Sequence, residues 1–177
     1  ASSGVFSLNL TRLISYSFVR ERKMNLYDIF RELDIEFEEI EHEPVFTVEQ
    51  AKAIENKIDG TGCKNLFLTD KKGKYFLVIL EDNKKANVKE ITKIVNTSHL
   101  SFADISELKN ILQLGEGSVT PFGIINDFDN KVLLVIDKDL KDKKLLFHPN
   151  VNNKTISVTY DDLIKFIDFE KHNYINI

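Results

Sequence analysis

Apolar positions recur every three to four residues in five stretches of the chain and crowd into continuous or alternating runs in several others. Leu26, Ile29, Phe30 and Leu33 share one helical face, so the spacing predicts a helix over 25–35. Residues 36–42 (EFEEIEH) alternate and predict a strand. Thr47 followed by Gln50 has the capping-box spacing, which predicts a helix start for TVEQAKAIENKI. Two apolar runs, 64–70 and 75–81, flank the KKGK turn at 71–74 and predict a hairpin. Asn87 with Glu90, and Asp104 with Glu107, open two further helices over 87–95 and 104–114. Runs at 122–127, 132–137, 144–148 and 155–159 predict strands. The stretch 159–172 predicts a closing helix with Tyr160, Leu163, Ile164 and Ile167 on one face. Helices and strands mix without regular alternation, so the expected fold is a single α+β domain with a mixed, mainly antiparallel sheet.

Composition narrows the class. A length of 177 residues suits one domain with an ordinary core, needing no disulfide or metal staple. The single Cys63 cannot bridge internally, which fits a reducing, cytoplasmic setting. No apolar run approaches the roughly 18 residues of a membrane span. Residues 1–23 precede the only methionine, Met24, and are rich in Ser, Leu and Arg. They are expected to be an appended extension or an upstream leader, with a targeting peptide as the rival reading. The domain proper is then 24–177. Without those residues the chain carries 20 basic and 27 acidic side chains, a formal charge of −7. So acidic a surface does not hold nucleic acid through a broad electrostatic footprint; any RNA contact is local, and DNA is not an expected partner.

Standard enzyme signatures are missing. There is no P-loop, GxGxxG, HExxH or GxSxG. The histidines at 42, 99, 148 and 172 are scattered, so a zinc site is not expected. Cys63 beside an apolar strand reads as packing rather than as a nucleophile. Three clusters stand out. In GCKNLFL (62–68), Lys64 sits at the mouth of a strand: it is a surface charge, or it points an ammonium into a cleft. In GSVTPF (117–122), Gly117, Ser118, Thr120 and Pro121 expose backbone amides without bulky side chains: a turn, or a ledge for a ligand. In FHPN (147–150), Pro149 biases His148 to extended backbone, where it is a surface residue or a hydrogen-bond donor into a cleft.

Taken together, CKNLFLTDKKGKYFLVIL, the stretch from LSFADISELKNILQLGEGSVTPFGIIND to VLLVIDKDL, and LLFHPNVNNKTISVTYDDLIKFI resemble the prolyl-tRNA-editing domains (the YbaK/EbsC or prolyl-tRNA-synthetase-associated family). Within that family the chain looks most like the free-standing ProX/PrdX-type deacylases that clear alanine from proline tRNA. The resemblance covers nearly all of 24–177. It implies a twisted mixed sheet with a cleft at one edge and no metal or cofactor. It also implies Lys64 holding the substrate's acceptor end, with Asn65 following it. Gly117 would face the substrate in a loop shaped by Ser118 and Pro121, and His148 would stand in the pocket. Thr47 matches a pocket threonine, although it serves equally as a helix cap. Backbone amides of Gly117, Ser118 and Val119 would stabilise the oxyanion, while the ribose 2′-hydroxyl helps activate water. The lysine, the bare loop and the imidazole are therefore expected to converge on one small recess. After His148 this chain is more polar than the family's usual run, and Thr155 keeps its place. The implied partners are the acceptor end of tRNA(Pro) and prolyl-tRNA synthetase. The alternatives are a deacylase for cysteinyl-tRNA(Pro) and a non-catalytic aminoacyl-tRNA or amino-acid-binding module.

Overall fold

The computed structural model describes residues 24–177. The expectation for residues 1–23 lies outside them. The chain divides after Asp34. Among the described residues before that point is the helix α1 (Leu26–Glu32), opened by Asn25, whose side chain accepts from the Asp28 N–H while the Asp28 carboxylate accepts from the Asn25 N–H.

Residues 35–177 form an eight-stranded sheet with four helices. In chain order these are β1 (Glu38–Glu41), α2 (Val48–Glu55), β2 (Thr61–Thr69), β3 (Tyr75–Glu81), α3 (Val88–Ile94), β4 (Ser101–Phe102), α4 (Ile105–Leu112), β5 (Val132–Ile136), β6 (Lys144–Phe147), β7 (Lys154–Thr159), α5 (Tyr160–Phe169) and β8 (Tyr174–Asn176). The strand order is β1-β7-β6-β2-β3-β5-β8, with β4 added to the far end of β2. Pairings β1/β7, β6/β7, β2/β3 and β2/β4 are antiparallel; β2/β6, β3/β5 and β5/β8 are parallel. The sheet is mixed and mainly antiparallel, as the irregular order of elements predicts.

Local chemistry explains the helix starts. Thr47 and Gln50 form a reciprocal capping box, and so do Asp104 and Glu107. Asn87 accepts from the Glu90 N–H. Strand β3 is buried from Phe76 to Leu80, so it is covered on both faces. On one face Phe76, Val78 and Leu80 pack with Leu68, Ile91, Leu100 and Val135. Asp127 and His172 make a buried pair at 2.8 Å, and the Asp127 carboxylate also accepts from the N–H groups of Lys131 and Val132.

The predicted strand over 122–127 is a correction. Pro121–Asn126 form a 3-10 helix capped by Thr120. Pro121 fixes φ at its first position. Gly123 packs where a Cβ would lie 2.7 Å from Leu114 Cδ1, so the tight coil is the conformation that brings its backbone against α4's end. Phe122 then sits edge-to-face with Phe147 and Phe166, with ring centroids 5.6 and 5.1 Å away. Strands β4 and β8 span two and three residues, too short to show a period in sequence.

Candidate active site

The parallel pairing of β2 with β6 lasts two residues, Thr61 with Leu145 and Gly62 with Leu146. From Cys63 onward β2 pairs with β3, while β6 continues beside β7 toward His148. A cleft of about 90 Å³ lies where the two strands part. Cys63 and Asn65 line it from β2, Phe147 and His148 from the end of β6, and Thr155 from β7. Val45 and the Ala51, Ile54 and Glu55 side of α2 close it.

His148 Nδ1 lies 2.8 Å from the Lys154 carbonyl. A carbonyl only accepts, so Nδ1 carries the proton and Nε2 keeps a lone pair. Burial pushes the imidazole pKa below its ordinary value and His42 adds to this, against the stabilising Lys154 carbonyl. His148 is therefore a neutral acceptor at pH 7, not the donor expected from sequence. The His42 ring stands 6.0 Å from it, with its own Nδ1 2.8 Å from the Glu43 carbonyl and its Nε2 2.8 Å from Thr155 Oγ1. Asn65 Oδ1 is buried without a hydrogen-bond partner.

Two further groups mark the walls. Burial pushes the Cys63 thiol far above its ordinary range, Asp82 adds to this, and Sγ donates to the Thr61 carbonyl. The thiol stays protonated and is no nucleophile, as its reading as packing expects. The Glu55 carboxyl is pushed up to about 7, first by burial, then by its hydrogen bond with Asp82 and that group's charge, with Lys52 opposing. Gly62 leaves room for this pair: a Cβ there would collide with both carboxyls.

Lys64 is placed differently from its expected position. It is the fourth residue of a nine-residue strand rather than its mouth. Cys63 and Asn65 face the cleft, so alternation turns Lys64 to the other face, opposite Leu80 in register. Its amine donates to the Lys84 carbonyl. The loop is nearer: Gly117 has φ +80°, and a Cβ there would lie 3.9 Å from the carbonyl oxygen of the cleft residue Val45. Within the loop the Ser118 N–H is already given to Gly115 at 3.2 Å, Val119 is half-buried and Pro121 is buried. Asn150 ties loop to pocket by donating Nδ2–H to the Phe122 carbonyl at 3.2 Å. Thr47 is exposed and accepts from the Gln50 N–H, its cap role; it is not in the cleft lining. The structure thus gathers His148 and Asn65, borders them with the Gly117 loop, and turns the Lys64 amine away. Nothing in the sequence singles out Glu55 or Asp82; His42 reads there as one of four scattered histidines and Asn150 as the end of FHPN with no role of its own. Their partners lie up to 113 residues away, and no spacing signals them. Of the lysine clusters, Lys84 is paired with Asp137 and Asp139, Lys143 with Glu81, and Lys144 with Glu38 and Asp59. Among the described residues no group of three or more His, Cys, Asp or Glu is gathered as metal donors, and no helix is long and apolar enough to cross a membrane.

A family model described as the aminoacyl-tRNA editing domain matches residues 42–166. The prolyl-tRNA editing protein ProX of Acetoanaerobium sticklandii is 37% identical over 138 residues, covering 77% of this chain and 84% of that protein. The prolyl-tRNA synthetase associated domain-containing protein 1 of Danio rerio is 31% identical over 153 residues, covering 85% and 83%. Among solved structures, hypothetical protein APE2540 superposes with a TM-score of 0.67 at 15% identity, covering 85% of this chain and 97% of that one, a likeness of fold.

Proposed function

The chain belongs to the aminoacyl-tRNA editing domain family, and from that premise we propose that it is a trans-editing deacylase that hydrolyses the ester of mischarged tRNA(Pro), with alanine as the amino acid removed. The observation that carries the reading is the cleft itself. It is small, about 90 Å³ against the 300–1,000 Å³ of an ordinary ligand pocket, and it holds a neutral imidazole with an unpartnered nitrogen. A recess of that size is scaled to the reacting end of an aminoacyl ester rather than to a large ligand, and the preference for alanine is carried by the second-sieve argument. A synthetase pocket built for proline gains only about 1–3 kcal/mol against a side chain lacking methylenes, so a second sieve by size supplies the missing discrimination.

The chemistry asks little of the protein. Water adds to the ester carbonyl, the ribose 3′-oxygen leaves with a proton, and free amino acid and tRNA result. His148 Nε2 accepts from the ribose 2′-hydroxyl or from water, orienting the attack. The free amides of the Gly117 loop, those of Gly117 and Val119, serve the oxyanion. Lys64 stands on the neighbouring face of β2 with its amine on the Lys84 carbonyl. We assign it to the phosphate or ribose of the acceptor end, on leaving the Lys84 carbonyl. Asn65 holds the aminoacyl group, with Ser118 and Pro121 keeping the loop in shape. An association with prolyl-tRNA synthetase would deliver the substrate and is checked by co-purification of the two proteins.

The test is direct. Alanyl-tRNA(Pro) incubated with the protein should be deacylated, and prolyl-tRNA(Pro) should persist. Equal rates on both, or faster loss of cysteinyl-tRNA(Pro) than of alanyl-tRNA(Pro), would reject the alanine assignment. Absence of turnover on all three leaves a binding module.

A further inference from the structure

The cleft's polar lining has a consistent sense. His148 Nε2 is a lone pair because Nδ1–H is given to the Lys154 carbonyl. His42 is fixed in the same way: the Glu43 carbonyl takes its Nδ1–H, so in the neutral ring Nε2 accepts. The hydrogen on Thr155 Oγ1 is thereby committed to His42, and Thr155 turns only lone pairs to the cleft. Asn65 Oδ1 is a buried acceptor with no donor. Glu55 completes the lining from α2, its carboxyl bonded to Asp82 with Lys52 as the opposing charge, and no lysine or arginine is part of the lining itself. Four acceptor-bearing residues on one lining that includes no lysine or arginine suit a compact group with several N–H donors.

We infer that this cleft is a receptor for a primary ammonium group, the free α-ammonium of the aminoacyl ester, held by the Glu55 carboxylate, Asn65 Oδ1 and Thr155 Oγ1. The inference rests on the deacylase reading for the identity of that ammonium, but not for its chemistry. It assigns His42 as a positioning residue acting through the Thr155 hydroxyl. It also defines the substrate class more narrowly: aminoacyl esters with an unmodified amine, rather than α-hydroxyacyl or N-acylated esters. Ammonium binding supplies the charge that a buried carboxyl otherwise lacks, and so favours its ionised form. Other charges around it are Asp82 and Lys52; His148 shares the lining, and His42 is bonded to Thr155 outside it.

The experiment uses two unreactive ligands that differ in one group. The full chain is titrated calorimetrically at pH 7 with 3′-deoxy-3′-(L-alanylamino)adenosine and with its 2-hydroxypropanoyl counterpart, of equal size but carrying OH in place of NH3⁺. Charged hydrogen bonds of this kind correspond to about tenfold to a hundredfold in affinity, so the amine should bind tighter by that factor. The ratio should shrink in Glu55→Gln and Thr155→Val and return in Thr155→Ser, which keeps the hydroxyl. Equal affinities, no binding of either ligand, or a ratio untouched by both variants overturns the inference. Deacylation of alanyl-tRNA(Pro) is measured alongside. If turnover is absent while the amine is still preferred, the deacylase reading falls and the ammonium receptor stands. If turnover is present with equal affinities, the reverse holds.

Discussion

Two titrating groups in the cleft should separate cleanly in the pH dependence of turnover. Glu55, pushed up to about 7, is one-half ionised near neutrality in the free protein. At pH 6 roughly a tenth is ionised and at pH 8 roughly nine-tenths, so KM for alanyl-tRNA(Pro) should be about tenfold higher at pH 6. Above about pH 8 the substrate's amine loses its proton, and KM should rise again. The kcat profile answers to a different group. Burial holds the imidazolium of His148 below its ordinary pKa, so the acid limb of kcat should be centred below pH 6.5. Replacing the basic, titratable nitrogen in His148→Gln should lower kcat by about 10²–10⁴-fold and abolish that acid limb. The same shift touches folding. Below the unfolded value near 6.5 the unfolded chain binds the proton more readily, so stability declines as pH falls toward the folded pKa. The assay is hydrolysis of labelled alanyl-tRNA(Pro) from pH 5.5 to 8.5 under single and multiple turnover, with spontaneous ester loss subtracted. A kcat limb centred at or above 6.5, or one that survives in His148→Gln, refutes the role given to this imidazole. A KM flat between pH 6 and 7.5 refutes the role given to Glu55.

Other outcomes follow from single contacts. Gly117→Ala keeps ample space but places a side chain at φ +80°, so it should cost about 1–2 kcal/mol in urea unfolding and lower kcat through the displaced loop; a neutral result would show that the loop relaxes freely. Gly62→Ala should fold yet raise KM by crowding the Glu55 and Asp82 carboxyls, and an unchanged KM would separate that pair from substrate binding. Asp127→Ala leaves His172 and the N–H groups of Lys131 and Val132 without their buried partner and should cost about 3 kcal/mol in urea unfolding. Although burial raises the Asp127 carboxyl, hydrogen bonds from His172, Lys131 and Val132 hold it below the ordinary value, so its contribution is present above about pH 4 and lost as pH falls through the lowered pKa. Cys63, protonated in its buried site, should react with iodoacetamide at pH 8 far more slowly than free cysteine; rapid labelling would overturn the assignment of an inert thiol.

Much of the scaffold was legible in the sequence because its signals are local. Thr47 with Gln50 and Asp104 with Glu107 announce their helices through side chains three residues apart, and KKGK marks a hairpin by its own composition. The apolar run at 122–127 was misread as a strand because a short hydrophobic segment has no period to distinguish strand from tight coil. The site was legible only in part. His148 and Asn65 carry family motifs and do line the cleft. Lys64 carries one too, but its direction depends on where β2 begins, and the strand starts three residues earlier than its apolar composition suggests. The protonation sense of the two imidazoles could not be read at all, since the carbonyls of Glu43 and Lys154 that set it are unremarkable backbone atoms.

The brief seam between β2 and β6 carries a thermodynamic implication. Two matched residue pairs are the whole of the ladder joining β1, β7 and β6 to the larger group formed around β3. An occupant of the gap beyond that seam leans on both groups at once, and each molecule bound adds to their cohesion as well as to its own retention. Occupancy and cooperative unfolding should therefore be linked: saturating the recess ought to protect the amides of Gly62 and Leu146 from exchange as a single event.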